Sequence, residues 1–255
     1  MPPVLSIAIL GCGSRGRTYA KIAASFGARY RLAAAADPVA VRREAVASLA
    51  AKGDVKMFDS AEALFAAGKL SDVLIIGTQD SQHFGHAMGA LEAGYDILLE
   101  KPAAESLERC EAIDRRAREL GQRVALCFVL RYTPFYSTVK ALIESGRLGR
   151  VISMRTHEGV EPFHQAHSFV RGHWRSSRGS TPMIVASVPT TRICSAGSAT
   201  RRQRPFPPME IVLGSARKTR RMGHPHVAPM VARRPRTAST THTATSPTSA
   251  AGSAW

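Results

Sequence analysis

Residues 4–16, VLSIAILGCGSRG, contain the pattern that decides the fold. Residues 4–10 form a short, apolar run rich in isoleucine, leucine and valine, as expected for a buried strand of a parallel sheet. Residues 11–16 then have the spacing Gly-x-Gly-x-x-Gly, and residues 17–26 have helical character. Glycines at this spacing are informative when they join a strand to a helix. The stretch therefore predicts a strand, loop and helix unit of the kind that binds dinucleotides.

Each glycine of the loop has a separate expected task. Gly11 allows a tight turn, Gly13 lets the backbone approach a pyrophosphate, and Gly16 lets the helix pack closely on the strand. The start of the helix, with Ser14 and Arg15, offers free N–H groups and the positive end of the helix dipole to phosphates. We therefore expect all five residues to contribute to a cofactor site.

The alternation of strands and helices continues to residue 144. We predict strands over 4–10, 30–36, 56–58, 73–77, 96–100 and 124–130, and helices over 17–26, 39–51, 61–67, 82–93, 107–120 and 134–144. Such a series indicates an α/β fold, a Rossmann-type parallel sheet with helices on both faces. Ligands of these sheets bind beyond the carboxyl ends of the strands, so the polar residues there are the candidates for function.

Asp37 follows the second strand, 21 residues after Gly16. An acid at this place accepts hydrogen bonds from the ribose hydroxyls of the adenosine half. The same carboxylate repels a ribose phosphate, which favours NAD over NADP. Arg42 and Arg43 could pair with such a phosphate, so NADP remains the alternative. The other interpretation of the whole pattern is a tight turn followed by a solvated surface acid, which the agreement of loop, strands and acid disfavours.

Glu100, Lys101 and Pro102 follow the fifth strand. A lysine at the carboxyl end of a strand, beside a nicotinamide ring, can bond a substrate hydroxyl and relay the proton released as hydride leaves the adjacent carbon. We therefore predict Lys101 as the catalytic residue. The tripeptide by itself is explained more simply by an exposed ion pair, so this prediction depends on its neighbours.

Those neighbours complete a resemblance. Thr78 and His83 follow the fourth strand, and Arg131 and Tyr132 follow the sixth. With the glycine loop, Asp37 and the Glu-Lys-Pro turn, the chain resembles the Gfo/Idh/MocA oxidoreductases (glucose–fructose oxidoreductase, inositol dehydrogenase and relatives) over about residues 4–186. Family members often have proline after the threonine, where this chain has Gln79.

The resemblance implies a role for each of these residues. Thr78 and His83 would lie along the cofactor, Glu100 near the nicotinamide ribose, and Lys101 at the substrate. The activity implied is hydride transfer between NAD(P) and a hydroxyl-bearing carbon of a sugar, polyol or related small molecule. A glycosidase that uses NAD transiently is an alternative within the family. A dinucleotide-binding module without enzymatic activity is an alternative outside it.

The resemblance also implies a second, α+β domain with a mainly antiparallel sheet that covers the substrate. Residues 149–158 alternate well enough to be its first strand, and a loop over 161–175 would fold over the active site. The predicted substrate-binding residues besides Lys101 are Arg131, His167, Arg171 and Trp174. Histidines lie near Glu161, but their spacing fits no common zinc pattern, so no metal is predicted.

We divide the chain into a nucleotide-binding domain (1–130), an incomplete substrate domain (131–186) and a basic tail (187–255). The tail has 11 basic residues and one acidic residue, Glu210, and many prolines. Such a composition buries too little apolar surface to offset its ordering entropy, so the tail is predicted to be disordered. The acid-and-histidine motif that the family places soon after residue 186 is absent, since no histidine occurs between residue 186 and His224.

Two hypotheses explain the tail. A native basic segment would bind a polyanion such as nucleic acid. A slip of the reading frame near residue 186 in a GC-rich gene would yield the same residue types. The abrupt break favours the slip, so nucleic-acid binding is not expected. An incomplete second domain would also impair activity and the homo-oligomer typical of the family.

The cellular setting is predicted from absences in the sequence. Cysteines 12, 110, 127 and 194 lack metal-ligand spacing, which favours reduced thiols in the cytoplasm. No apolar run approaches the roughly 18 residues of a membrane span, and no basic segment precedes residues 4–10 as in a secretory signal.

Overall fold

The computed structural model describes residues 3–50, 55–149, 151, 155–176, 180–181 and 210–215, the last six and 155–158 by their backbone alone. The strands are β1 (Leu5–Leu10), β2 (Tyr30–Ala36), β3 (Lys56–Phe58), β4 (Val73–Ile76), β5 (Asp96–Leu99), β6 (Val124–Leu126), β7 (Arg155–Val160) and β8 (Glu210–Ser215). The helices are α1 (Ser14–Ser25), α2 (Ala40–Ala47), α3 (Ala61–Ala66), α4 (Asp80–Glu92), α5 (Leu107–Leu120), α6 (Pro134–Glu144) and α7 (Pro162–His164).

Six strands form one parallel sheet in the order β3-β2-β1-β4-β5-β6. The strand order reverses between β1 and β4, so the loops after these two strands diverge and leave a crevice. This topology confirms the predicted α/β fold of Rossmann type. It also places the glycine loop after β1 and Thr78 after β4 on the two sides of the crevice.

The two faces of the sheet carry separate apolar cores. Along β1, Ala8 and Leu10 pack into one core and Ile7 and Ile9 into the other. This alternation follows from the two-residue period of a strand, and it explains why the strand is apolar throughout. Helices cover both cores, as predicted.

Some helix and strand ends differ from the prediction. Helix α1 begins at Ser14 rather than at residue 17, because Gly13 has the extended backbone of an N-terminal cap (φ −69°, ψ −159°). Strand β6 ends at Leu126 rather than at residue 130. Strand β6 pairs with β5, which ends at Leu99, and the Leu99 carbonyl accepts from the Cys127 N–H. Beyond that bond β5 offers β6 no further backbone to pair with.

The region after α6 also differs in detail. The strand expected over 149–158 is described as β7, Arg155–Val160. The segment predicted as a loop contains α7, which continues as a π-helical turn over Gln165–Val170 and is followed by a 3₁₀ turn over His173–Arg175. That loop prediction was wrong, because several side chains there pack on one another.

Strand β7 pairs in parallel with β8. Within the tail predicted as disordered, residues 210–215 therefore form a strand, and the rest of 187–255 lies outside the described residues. The second sheet was expected to be mainly antiparallel, whereas its one described pair is parallel. No helix in the described part of the chain is long and apolar enough to cross a membrane.

Candidate functional site

The glycine loop closes tightly on β4 at its first glycine. Gly11 has φ +88°, a conformation that side chains rarely adopt, and a Cβ added there would lie 2.8 Å from the carbonyl carbon and oxygen of Gly77. Gly77 is itself close to the helix start, with an added Cβ 3.4 Å from the Gly16 nitrogen. The sequence predicted the role of Gly11, but it did not identify Gly77, which ends an apolar run and carries no motif.

The other two glycines of the loop have opposite surroundings. A Cβ at Gly16 would lie 2.0 Å from the Gly11 carbonyl oxygen, whereas a Cβ at Gly13 would meet nothing within 4 Å. Gly16 therefore serves helix packing, and Gly13 borders open space at the start of α1. Ser14 and Arg15 are exposed beside it. The first helical turn of α1 has N–H groups without an intrahelical partner, the groups that bind phosphates at a helix start.

Asp37 is 5% exposed and binds the glycine loop directly. Its Oδ2 accepts from the Cys12 N–H at 2.9 Å, and its Oδ1 accepts from the Val39 N–H at 2.9 Å. A carboxylate has about four acceptor positions, so each oxygen retains one for another donor such as a ribose hydroxyl. Arg43 donates to the backbone carbonyl of Asp37. Asp37 therefore holds the loop in place, and its contact with a ribose stays a prediction.

His83 is almost fully buried, at 1% exposed, between two loops of the site. Its Nδ1 lies 2.6 Å from the Pro102 carbonyl oxygen and its Nε2 lies 3.2 Å from the Thr78 carbonyl oxygen. The Thr78 hydroxyl lies 3.0 Å from Nδ1 of His86, a residue that the sequence did not single out, and burial lowers the pKa of His86. His83 therefore joins the β4 and β5 loops, and its expected place along the cofactor stays a prediction.

Glu100 carries a buried carboxylate with donors on α1. Its Oε1 accepts from the Tyr19 hydroxyl at 2.8 Å and lies 3.8 Å from Nε of Arg15, and its Oε2 accepts from the Lys101 N–H at 3.1 Å. Burial, with hydrogen bonds to Cys127 and Glu100, raises the pKa of Tyr19. Tyr19 was missed by sequence reasoning, although its position one helical turn after Arg15 places both on one face of α1.

Lys101 is half-buried at the carboxyl end of β5, and its peptide bond to Pro102 is cis. Since β5 lies beside β4, and β4 beside β1, the structure brings Lys101, Glu100, Thr78 and the glycine loop to the same edge of the sheet. The sequence predicted these residues at one edge of the sheet, and the nicotinamide site itself stays a prediction.

The predicted substrate-side residues are less closely grouped. Arg131, in a 3₁₀ turn, is exposed, as are Arg171 and His167, whose ring stacks on Phe163 with centroids 5.7 Å apart. Trp174 instead donates its indole N–H to Asp80 at the start of α4, at 2.9 Å. Among the described residues, no group of three histidine, cysteine or carboxylate side chains could hold a metal ion.

The fold and site define a dinucleotide-binding Rossmann domain. Residues 5–128 match the model of the Gfo/Idh/MocA oxidoreductase family, NAD-binding Rossmann fold. Over these residues the chain is similar to the NAD-binding domain of that family. The match confirms the predicted family and fold, and with them NAD as the nucleotide of this kind of domain.

Two curated relatives and one solved structure extend the comparison. The chain is 34% identical to inositol 2-dehydrogenase of Streptomyces avermitilis over 164 residues, which cover 63% of this chain and 46% of that protein. It is 33% identical to scyllo-inositol 2-dehydrogenase (NAD(+)) of Bacillus subtilis over 146 residues, which cover 57% of this chain and 42% of that protein. Both matches thus span less than half of the relative's length.

The scyllo-inositol dehydrogenase from Lactobacillus casei, solved with bound NAD(H) and scyllo-inositol, aligns with a TM-score of 0.59 at 23% identity. The alignment covers 66% of this chain and 49% of that one. At this identity the likeness shows the fold.

Proposed function

We propose that this chain binds NAD(H) at the carboxyl edge of its sheet and acts as an oxidoreductase on a polyol such as an inositol, with impaired turnover. The observation that carries the nucleotide site is the contrast within the glycine loop. Gly11 and Gly16 are closed by packing, while Gly13 alone of the three borders open space at a helix start. The polyol is proposed from the names of the two inositol dehydrogenase relatives.

In this proposal the pyrophosphate lies against the first N–H groups of α1, and the free acceptor positions of Asp37 take the adenosine ribose hydroxyls. NAD is then preferred to NADP, because a phosphate would approach the Asp37 carboxylate. The nicotinamide half extends past Thr78 toward Glu100 and Lys101. When bound, NAD supplies the acceptor for hydride, while Lys101 bonds the substrate hydroxyl and takes its proton.

Impairment follows from the sequence beyond residue 186. The family's acid-and-histidine motif is absent there, so proton transfer depends on Lys101. Loss of a positioned acid or base typically slows turnover by about 10²- to 10⁴-fold. We therefore expect NADH binding to persist and NADH formation from NAD and myo-inositol to be slow.

The test is a fluorescence titration of NADH against the parent chain, Gly13→Val and Gly27→Val. Valine fits the extended backbone at position 13, and a Cβ there meets nothing within 4 Å, so the added side chain enters the open space proposed for the ligand. Losing two charge-assisted N–H contacts to phosphate, at about 1.5–3 kcal/mol each, weakens binding by about 100-fold or more. Gly27, beyond the far end of α1, is the control and should leave the affinity unchanged.

NADPH is titrated in parallel and is expected to bind more weakly than NADH. Equal NADH affinity for the parent and Gly13→Val would contradict the proposed site. Tighter binding of NADPH than of NADH would contradict the role given to Asp37.

A further inference from the structure

Asp80, the first residue of α4, carries a buried carboxylate that the proposed mechanism does not use. It is 5% exposed, and its Oδ2 accepts from both the Trp174 indole N–H and the Thr181 hydroxyl. Both donors lie far along the chain, 94 and 101 residues away, and Thr181 is 2% exposed. An aspartate at a helix start is usually a solvated acid that favours the helix dipole. The Asp80 carboxylate is instead buried and accepts from two side chains that lie far along the chain.

The contact lies close to the nucleotide site. Asp80 is three residues beyond Gly77, which packs on the glycine loop, and three residues span at most about 11 Å. On its other side Trp174 packs against Phe169, with ring centroids 6.3 Å apart. The Asp80 carboxylate therefore connects the loop after β4 with the aromatic segment that follows β7.

We propose that Asp80 is a positioning residue that holds Trp174 and Thr181 at the carboxyl edge of the sheet. One carboxylate oxygen accepts from both donors, and charge-assisted hydrogen bonds are about twice as strong as neutral ones. The relevance of these two residues to a substrate rests on the proposed function. The attachment itself does not depend on a nucleotide and is measured without one.

Trp174 reports on the attachment directly. The chain has two tryptophans, so Trp255→Phe leaves Trp174 as the only one. In that background we compare Asp80→Ala, Asp80→Asn and Thr181→Val by emission maximum and by acrylamide quenching. Asp80→Ala should shift the emission to longer wavelength and raise the quenching constant about twofold, because water then replaces the carboxylate as the acceptor of the indole N–H. Asp80→Asn keeps an acceptor oxygen and should restore most of the parent signal.

The matched control is Asp72→Ala. Asp72 also accepts two hydrogen bonds with one oxygen, from the N–H and hydroxyl of Ser6, but it precedes β4 at the opposite edge of the sheet. Its loss should leave the Trp174 emission unchanged. Should Asp80→Ala fail to fold by circular dichroism, Thr181→Val, which removes one donor at nearly constant shape, should still raise the quenching constant.

Three results would overturn the proposal. The first is parent-like Trp174 emission of Asp80→Ala or, if that variant is unfolded, of folded Thr181→Val. The second is an equal change of Trp174 emission in Asp80→Asn and Asp80→Ala, and the third is an equal change in Asp72→Ala. NADH is then added to each folded variant. Absence of NADH binding throughout would refute the proposed function and would leave the emission comparison intact. The two ideas therefore fail separately.

Discussion

Replacing Gly16 with alanine tests the packing on which the nucleotide site depends. The added Cβ would lie 2.0 Å from the Gly11 carbonyl oxygen and 3.0 Å from Cγ2 of Ile9. The oxygen belongs to the backbone of a turn that is itself fixed against Gly77, so it cannot rotate away. Helix α1 must therefore move by at least about 1 Å to reach ordinary contact distances.

The energetic cost follows from how closely α1 lies on the sheet. Its buried residues are Gly16, Ala20 and Ala23, all small, so a displacement of the helix loosens the whole contact. Overpacking of this kind costs about 1–3 kcal/mol, and alanine returns up to about 1 kcal/mol through helix propensity. We expect a net loss of about 2 kcal/mol in the free energy of unfolding, which corresponds to a decrease of roughly 5–10 °C in Tm.

The assay is denaturant unfolding followed by circular dichroism, with NADH titration of the same samples. Gly13→Ala is the comparison, because its Cβ meets open space and its cost is only the roughly 0.5–1 kcal/mol of alanine at a helix N-cap. Gly16→Ala should lose stability and NADH affinity, whereas Gly13→Ala should lose affinity with a clearly smaller loss of stability. Unchanged stability of Gly16→Ala, or equal destabilisation by both, would refute the reasoning.

The remaining predictions concern a buried thiol and the tail. Burial, with the nearby Asp37 charge, raises the pKa of Cys12 from 9.0 to about 12, so folding favours the protonated thiol. The resulting stability is present below pH 9 and is lost between pH 9 and about 12. In denaturant melts, the free energy of unfolding should fall less from about pH 8 to about pH 10.5 for Cys12→Ala than for the parent. For the tail, reading the coding DNA in the other two frames after codon 186 should recover an acid-and-histidine motif, and its absence from both frames would remove the frame-slip hypothesis.

Much of the first 144 residues was predictable because its signals are local. Apolar runs of four to seven residues ending at glycine or aspartate mark strands such as Tyr30–Ala36, whose bounds were predicted without error. Leu107–Leu120 was equally clear, since Ser106 caps its start and Gly121, with φ +66°, ends it. These features need no knowledge of the rest of the chain.

The partners of the site residues were not predictable, because they depend on distant contacts. Nothing in the sequence near Glu100 indicates that Tyr19, 81 residues earlier, donates to its carboxylate. His83 was expected to lie along the cofactor, yet its ring is enclosed by two carbonyl groups. Trp174 was expected to face a substrate, and its indole N–H is bound by Asp80. A single sequence marks which residues carry chemistry, but only the fold decides which of them face the ligand.

The role proposed for Asp37 is coupled to a structural one. The carboxylate proposed to discriminate between nucleotides is also the acceptor that connects Cys12 of the glycine loop to the end of β2. Under that proposal, an apolar residue introduced here to admit a phosphorylated ribose would also loosen the turn proposed to hold the diphosphate. A change of cofactor on this scaffold would then need a replacement, such as asparagine or serine, that still offers the loop an oxygen.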